Sequence, residues 1–144
     1  MAESDINNMA QRFAEAVSAP GYFTKESEVG DSITGTIVAA NFRDRRDAKG
    51  KVQRWDDDTP QENLVITMET TLSQFDGDDG KRSIYVKWWG EQRRDIAKAV
   101  NAAGATVPTA GDTLTVTYVG DGPQPKDKAL SPEKLYEYEY VRNS

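Results

Sequence analysis

Apolar and polar residues alternate along several stretches of this chain, and a period of two marks a β-strand with one buried face. Residues 64–71 place Leu64, Ile66 and Met68 on one side and Val65, Thr67 and Glu69 on the other. Residues 82–89 place Ile84, Val86 and Trp88 inward, with Tyr85, Lys87 and Trp89 on the opposite face. Residues 113–119 set Leu114, Val116 and Tyr118 against threonines, and residues 135–141 set Tyr136, Tyr138 and Tyr140 against Glu137 and Glu139. A β-prone run over 31–42 carries Gly35 in its middle, which predicts a bulge or sharp bend. Between the third and fourth strands, Ile96, Ala99, Val100 and Ala103 recur at helical spacing over 91–103, and Gly104 supplies the stop.

Residues 5–18, with Ile6, Met9, Phe13 and Val17 three to four apart, predict a short amphipathic helix ended by Pro20-Gly21. This divides the chain into an N-terminal helical segment over 1–28 and a single β domain over 29–144. The segment Asp76-Gly-Asp-Asp-Gly80 reads as a tight turn closing a hairpin between the second and third strands. Its aspartates lack the twelve-residue spacing and terminal glutamate of a calcium loop, and turn chemistry accounts for them.

Three strands, one helix and two more strands, with long first and last connections, is the order of the OB-fold, a small, partly open five-stranded barrel. Such barrels bind oligonucleotides on strands 2 and 3 and on the loops joining strands 1 to 2 and 4 to 5. The expected fold is therefore mainly β: an OB-fold barrel with one helix between strands 3 and 4 and a short helix before it.

Composition narrows the chemistry. The 144 residues contain no cysteine and no histidine, which removes thiol nucleophiles, thiolate metal sites and the commonest general base. Asp56-Asp-Asp58 and Asp76 to Asp79 are conceivable magnesium ligands, but both lie among loop residues without a nucleophile and base. No catalysis, cofactor or metal is expected. No apolar run has the length of a membrane span and no signal-peptide pattern opens the chain, so a cytoplasmic protein is expected.

The net charge of -6 opposes a polyanion partner only if charge is evenly spread. It is not. Residues 43–54 hold Arg43, Arg45, Arg46, Lys49, Lys51 and Arg54 against two aspartates, and residues 81–98 hold six cations against two acids. The first cluster is the loop between strands 1 and 2. The run Lys81-Arg-Ser-Ile-Tyr-Val-Lys-Trp-Trp-Gly90 interleaves a cation with flat rings on one face, as stacking of unpaired bases and neutralisation of their phosphates require. Ordinary packing of Tyr85 and Trp89 beneath the following helix is the alternative. The candidate nucleic-acid residues are Arg43, Arg45, Arg46, Lys49, Lys51, Arg54, Trp55, Tyr85, Lys87 and Trp89, with Lys126 and Lys128 from the last loop. Trp55 either faces ligand or caps the barrel; the stripe of Tyr136, Tyr138 and Tyr140 resembles a second stacking platform, but the glutamates opposite would repel phosphate, so core packing is the expectation for Tyr138 and Tyr140 while the facing of Tyr136 and Tyr138 stays open.

Asp78-Asp-Gly-Lys-Arg-Ser-Ile-Tyr-Val, Ile96-Ala-Lys-Ala-Val-Asn-Ala-Ala-Gly104, Thr115-Val-Thr-Tyr-Val-Gly-Asp-Gly122 and Pro132-Glu-Lys-Leu-Tyr-Glu-Tyr-Glu-Tyr140 together resemble a group of OB-fold single-stranded DNA-binding proteins from actinobacterial phages and prophages. The resemblance implies binding of exposed single strands during phage replication or recombination, in the host cytoplasm, with phage or host replication proteins as possible partners and a homo-oligomer as a possible state. It also supports placing the site on Tyr85, Lys87, Trp89 and the 43–54 loop. The chain departs from bacterial-type relatives in ending Tyr140-Val-Arg-Asn-Ser144, without an acidic tail that recruits repair enzymes. The competing expectation is an OB-fold protein-interaction module acting on a host or phage protein through the last strand and its glutamates.

Overall fold

The computed structural model describes residues 19–126 and 132–143; the predicted helix over 5–18 lies outside them. The chain forms β1 (Ser32–Asp44), β2 (Glu62–Glu69), β3 (Lys81–Lys87), α1 (Gly90–Ala102), β4 (Thr113–Asp121) and β5 (Lys134–Val141). Every element predicted within the described residues appears, with ends moved by no more than two residues. The strands make one antiparallel sheet in the order β3-β2-β1-β4-β5. No helix among the described residues is long and apolar enough to cross a membrane.

β1 serves both halves of the sheet. Residues 32–36 pair with β4, and residues 36–44 pair with β2. The register slips between Ile37 and Ala39, so the bulge sits at Val38, not at Gly35 as the sequence predicts. Gly35 instead permits a close approach of β1 to the end of β2, since a Cβ there would stand 2.7 Å from the Glu69 carbonyl oxygen and 2.9 Å from Met68 Cβ. The bulge resets which side chains face the core, because one extra residue inverts the two-residue period. Before it, Ile33 and Ile37 are buried; after it, Ala40 pairs with Ile66 and Phe42 with Leu64 on the inner face, which turns Asn41 and Arg43 outward.

The core joins Ile33, Ile37, Leu64, Ile66, Met68, Ile84, Val86, Leu114 and Val116 to Ile96 and Val100 of α1 and to Tyr138 and Tyr140 of β5. Ile66, Met68, Val86 and Leu114 are wholly inaccessible, and burying each such side chain contributes about 1.5–3 kcal/mol. Trp88 packs against this core as expected, edge-on to Phe42 at 5.0 Å. Two inward or buried positions differ from expectation. Val65 is buried although it lies on the outer face, and Arg82, counted among the exposed cations of the third strand, is 2% exposed. The Arg82 guanidinium donates to both Asp78 carboxylate oxygens at 2.6 and 2.9 Å and to the Gln74 side chain at 3.0 Å. The turn's acid thus neutralises the cation that enters the core after it. Gly80 closes that turn at φ 80°, where a Cβ would lie 2.3 Å from the Thr70 carbonyl oxygen.

The sheet is open between its edge strands: no β3–β5 ladder occurs among the described residues, so a closed barrel is not formed by strand pairing. Two devices occupy the seam. Residues 20–22 run along the free edge of β3, where the Ser83 N–H donates to the Pro20 carbonyl at 2.8 Å and the Tyr22 N–H to the Ser83 carbonyl at 3.2 Å. Phe23 then meets the Tyr136 ring at 5.0 Å. Farther along, the buried Gln92 side chain of α1 accepts from the Lys87 N–H at 2.9 Å and donates to the Lys134 carbonyl at 3.1 Å. Its amide joins the end of β3 to the start of β5 as a peptide group would.

Candidate nucleic-acid interface

Cross-strand register assembles the outer face of β1, β2 and β3 into transverse rows. Arg43, Asn63 and Lys87 are aligned in one row, and Asn41, Val65 and Tyr85 in the next. Partners within a row have Cβ atoms about 5 Å apart, and alternate residues along a strand are about 7 Å apart. The Tyr85 ring is 49% exposed, one pleat from two cations that make no ion pair among the described residues. Arg43 reaches this face only because of the Val38 bulge.

The 43–63 connection is ordered. The Arg45 N–H donates to the Gln61 carbonyl at 2.7 Å, the Gln61 N–H to the Gln53 carbonyl at 2.8 Å and the Gln53 N–H to the Arg45 carbonyl at 2.8 Å, so three short segments are tied to one another in a closed cycle. Two tight turns join them. In the first, the Asp47 carboxylate accepts from the Lys49 and Lys51 N–H groups; in the second, the Asp57 carboxylate accepts from Thr59, which holds it below the ordinary carboxylate range. Arg46 donates to the Gly50 carbonyl at 2.8 Å and Arg54 to the Asp58 carbonyl at 2.9 Å. These two arginines brace turns. Lys49 and Lys51 make no ion pair among the described residues.

Trp89 lies beyond the end of β3, as the extended residue preceding α1. Its ring is not free: the Arg45 guanidinium lies 5.1 Å from its centroid, and Trp55 meets it edge to face at 5.0 Å. Trp55 is itself 41% exposed. Trp89 is therefore a pedestal that fixes Arg45 and Trp55 at the end of the cation rows, and Tyr85 and Trp55 are the exposed rings beside those rows among the described residues. The alternative reading of Tyr85 and Trp89 as core beneath the helix does not hold for Tyr85.

A cleft of about 320 Å³ runs from this face to the seam, lined by Arg45, Asn63, Tyr85, Lys87, Lys134 and Tyr136 among others. No acid lines it. Asn63 escaped the sequence reading, although the parity of β2 places it outward with Val65 and that signal was available; Lys134 bounds the basic last loop, and Tyr136 belongs to the tyrosine stripe whose facing the sequence leaves open. Lys134 is partly engaged, donating to the Thr24 carbonyl at 2.8 Å and lying over the Tyr118 ring at 5.1 Å. Lys126 is exposed, and Lys128 lies outside the described residues. Of the second basic segment, Arg82 is consumed by Asp78, Arg94 pairs with Glu91 at 2.6 Å, and Arg93 covers Trp88 at 5.1 Å.

The titrating groups that depart from ordinary values belong to the framework. The Arg82 guanidinium, together with the Gln74 and Gly80 N–H groups, holds the Asp78 carboxyl well below the carboxylate range. Asp112, 1% exposed, is lowered by the Tyr140 hydroxyl and the Asn143 N–H. The Asp121 acceptor and burial push Tyr118 up to about 12, and burial raises Tyr138. Asp57, Asp78 and Asp79 thus serve turns or Arg82. On the inner side, Phe42, Trp88, Ile96, Val100 and Val107 line a separate apolar groove of about 420 Å³.

No family model, curated protein or solved structure matches the chain.

Proposed function

We propose that the protein binds single-stranded DNA across the outer face of β1, β2 and β3, as an OB-fold without catalysis. The observation that carries this is the row of Arg43, Asn63 and Lys87 beside the exposed Tyr85 ring. Cations spaced across a pleated face suit phosphates, and a ring one pleat away suits an unpaired base. A duplex hides its base faces, so it cannot use that ring. The sharing of β1 between β2 and β4, and the helix between β3 and β4, support the OB-fold; the seam held by Gln92 and residues 20–24 stands where such a barrel would close. The resemblance to phage single-stranded DNA-binding proteins supports a role in phage replication or recombination.

Intrinsic fluorescence titration with oligo(dT) at two salt concentrations tests the reading, because Trp55 and Trp89 adjoin the face. Binding should weaken as salt rises, with a slope of log affinity on log salt of about -0.7 per phosphate contact, and duplex of equal length should bind more weakly. Absence of binding at low salt refutes the proposal. The apolar groove under Phe42 and Val107, 54% and 60% exposed, favours a second reading as a protein-interaction module, whose binding would be insensitive to salt.

A further inference from the structure

Asn63 stands at the centre of the cation row, between Arg43 and Lys87, and is the diagonal cross-strand neighbour of Tyr85. Diagonal neighbours have separations of about 7–8 Å, within reach of large planar groups. A base lying on the Tyr85 ring therefore brings an edge over β2, where it meets Asn63 on one side and Val65 on the other. Val65 has nothing to offer a polar edge, and Asn41 is a strand farther away. The half-buried Asn63 amide lines the cleft together with Tyr85 and Lys87. Its side chain makes no hydrogen bond among the described residues, although an amide carries one acceptor and two donor hydrogens.

Stacking and phosphate contacts alone tolerate any sequence, since every base has a π-face and every nucleotide a phosphate. An unspent amide at the rim of the stacking ring changes that. We infer that Asn63 reads the hydrogen-bonding edge of the base stacked on Tyr85 and makes the site selective among bases. The inference rests on the single-strand reading above. Arg43 and Lys87 on either side hold the backbone, so the amide meets the edge of a base whose position is already set.

Thymine presents one N–H between two carbonyls, whereas cytosine presents an amino donor beside a bare ring nitrogen. The two pyrimidines stack similarly, so a difference between them isolates edge reading. Fluorescence titration of the whole protein with oligo(dT) and oligo(dC) of equal length, at one salt concentration, should give affinities that differ by about 5-fold or more, the low end for one bidentate amide contact. Asn63→Ala should bring the ratio close to unity while the salt slope stays unchanged. Asn63→Asp keeps acceptors and loses donors, so its dT-to-dC ratio should fall below that of the wild type. Circular dichroism of each variant checks that the fold is retained. Equal affinity of the wild type for both strands, or a ratio preserved in Asn63→Ala, overturns the assignment while leaving salt-sensitive strand binding intact. Failure to bind either strand overturns the single-strand reading and this inference with it.

Discussion

Gln92→Ala should cost far more than a surface helix substitution, because the Gln92 amide is the polar tie across the open seam. The side chain is 4% exposed; it accepts from the Lys87 N–H at 2.9 Å and donates to the Lys134 carbonyl at 3.1 Å. Truncation leaves both backbone groups without that partner, and each such loss costs about 1–3 kcal/mol when the group stays buried. Lys87 and Lys134 are only half-buried, so water reaches part of the gap and the low end applies to each. Loss of the buried Cγ methylene adds about 1 kcal/mol. The expected total is about 2–4 kcal/mol, a large share of the roughly 5–15 kcal/mol that holds a domain of this size. Urea denaturation followed by tryptophan fluorescence should show it: with an m-value of about 2 kcal/mol/M, the midpoint falls by about 1–2 M. Gln92→Glu supplies a chemical control. Its carboxylate can still accept from the Lys87 N–H but has no proton for the Lys134 carbonyl. Protonation restores the donor, so the defect of Gln92→Glu relative to wild type should shrink as pH is lowered. A Gln92→Ala midpoint within about 0.3 M of wild type would refute the seam argument.

Tyr85→Ala and Trp55→Ala should each weaken oligo(dT) binding by about 1–3 kcal/mol, the scale of one base–aromatic contact, in titrations followed by anisotropy of labelled strand; a Tyr85→Ala affinity equal to wild type with the fold retained removes the stacking platform. Trp89→Ala acts differently, because it removes the support of Arg45 and Trp55: it should lower affinity and also flatten the salt dependence. Arg43→Ala with Lys87→Ala should reduce the salt slope by about 1.4, two phosphates' worth on a single strand, whereas Arg46→Ala with Arg54→Ala should act mainly through the turns those side chains brace; equal slopes in both pairs would sink the division. Since the Asp78 carboxyl is held below its unfolded value by Arg82, its contribution is fully present above the ordinary carboxylate range of about 4 and is lost as pH falls below it. Thermal unfolding should show a melting temperature that declines in acid, with a shallower decline in Asp78→Asn, which starts from a lower value at neutral pH.

Much of this arrangement was legible before any coordinates. Strands β2, β3 and β4 alternate so regularly that their inner faces follow from a period of two; in β5 the opposing glutamates favoured the core for Tyr138 and Tyr140, which are buried, but the alternation alone left open whether the stripe meets ligand, and Tyr136 lines the cleft. The bulge was not legible at Val38: Val38, Ala39 and Ala40 are all tolerated on either face, so the slip shows only when both partners of β1 are in place. Arg82 misled because its partner is a turn aspartate whose turn role alone accounted for it. Trp89 reads from the alternation as a stacking ring on the third strand, but it lies past the end of β3, and its coverage by Arg45 and Trp55 depends on how the 43–63 connection folds back, which is a tertiary fact. The seam was invisible for a similar reason, since an interior glutamine on a helix carries no sign of what it ties together.

The double duty of β1 also sets a timetable for the protein's birth. Ser32 finds Thr117, and Thr34 finds Thr115, across 85 and 81 residues of chain. At about 5–20 residues per second, the ribosome releases those partners about 4–17 s after the first half of β1 has emerged. The meander of β1, β2 and β3, which bears the cation row, has short-range pairings and can close as soon as Lys87 is free. Residues 32–36 must wait as an unpaired edge in the meantime. Their outward side chains are Ser32, Thr34 and Thr36, hydroxyls that water can satisfy, and such an edge is a poorer template for aggregation than an apolar one.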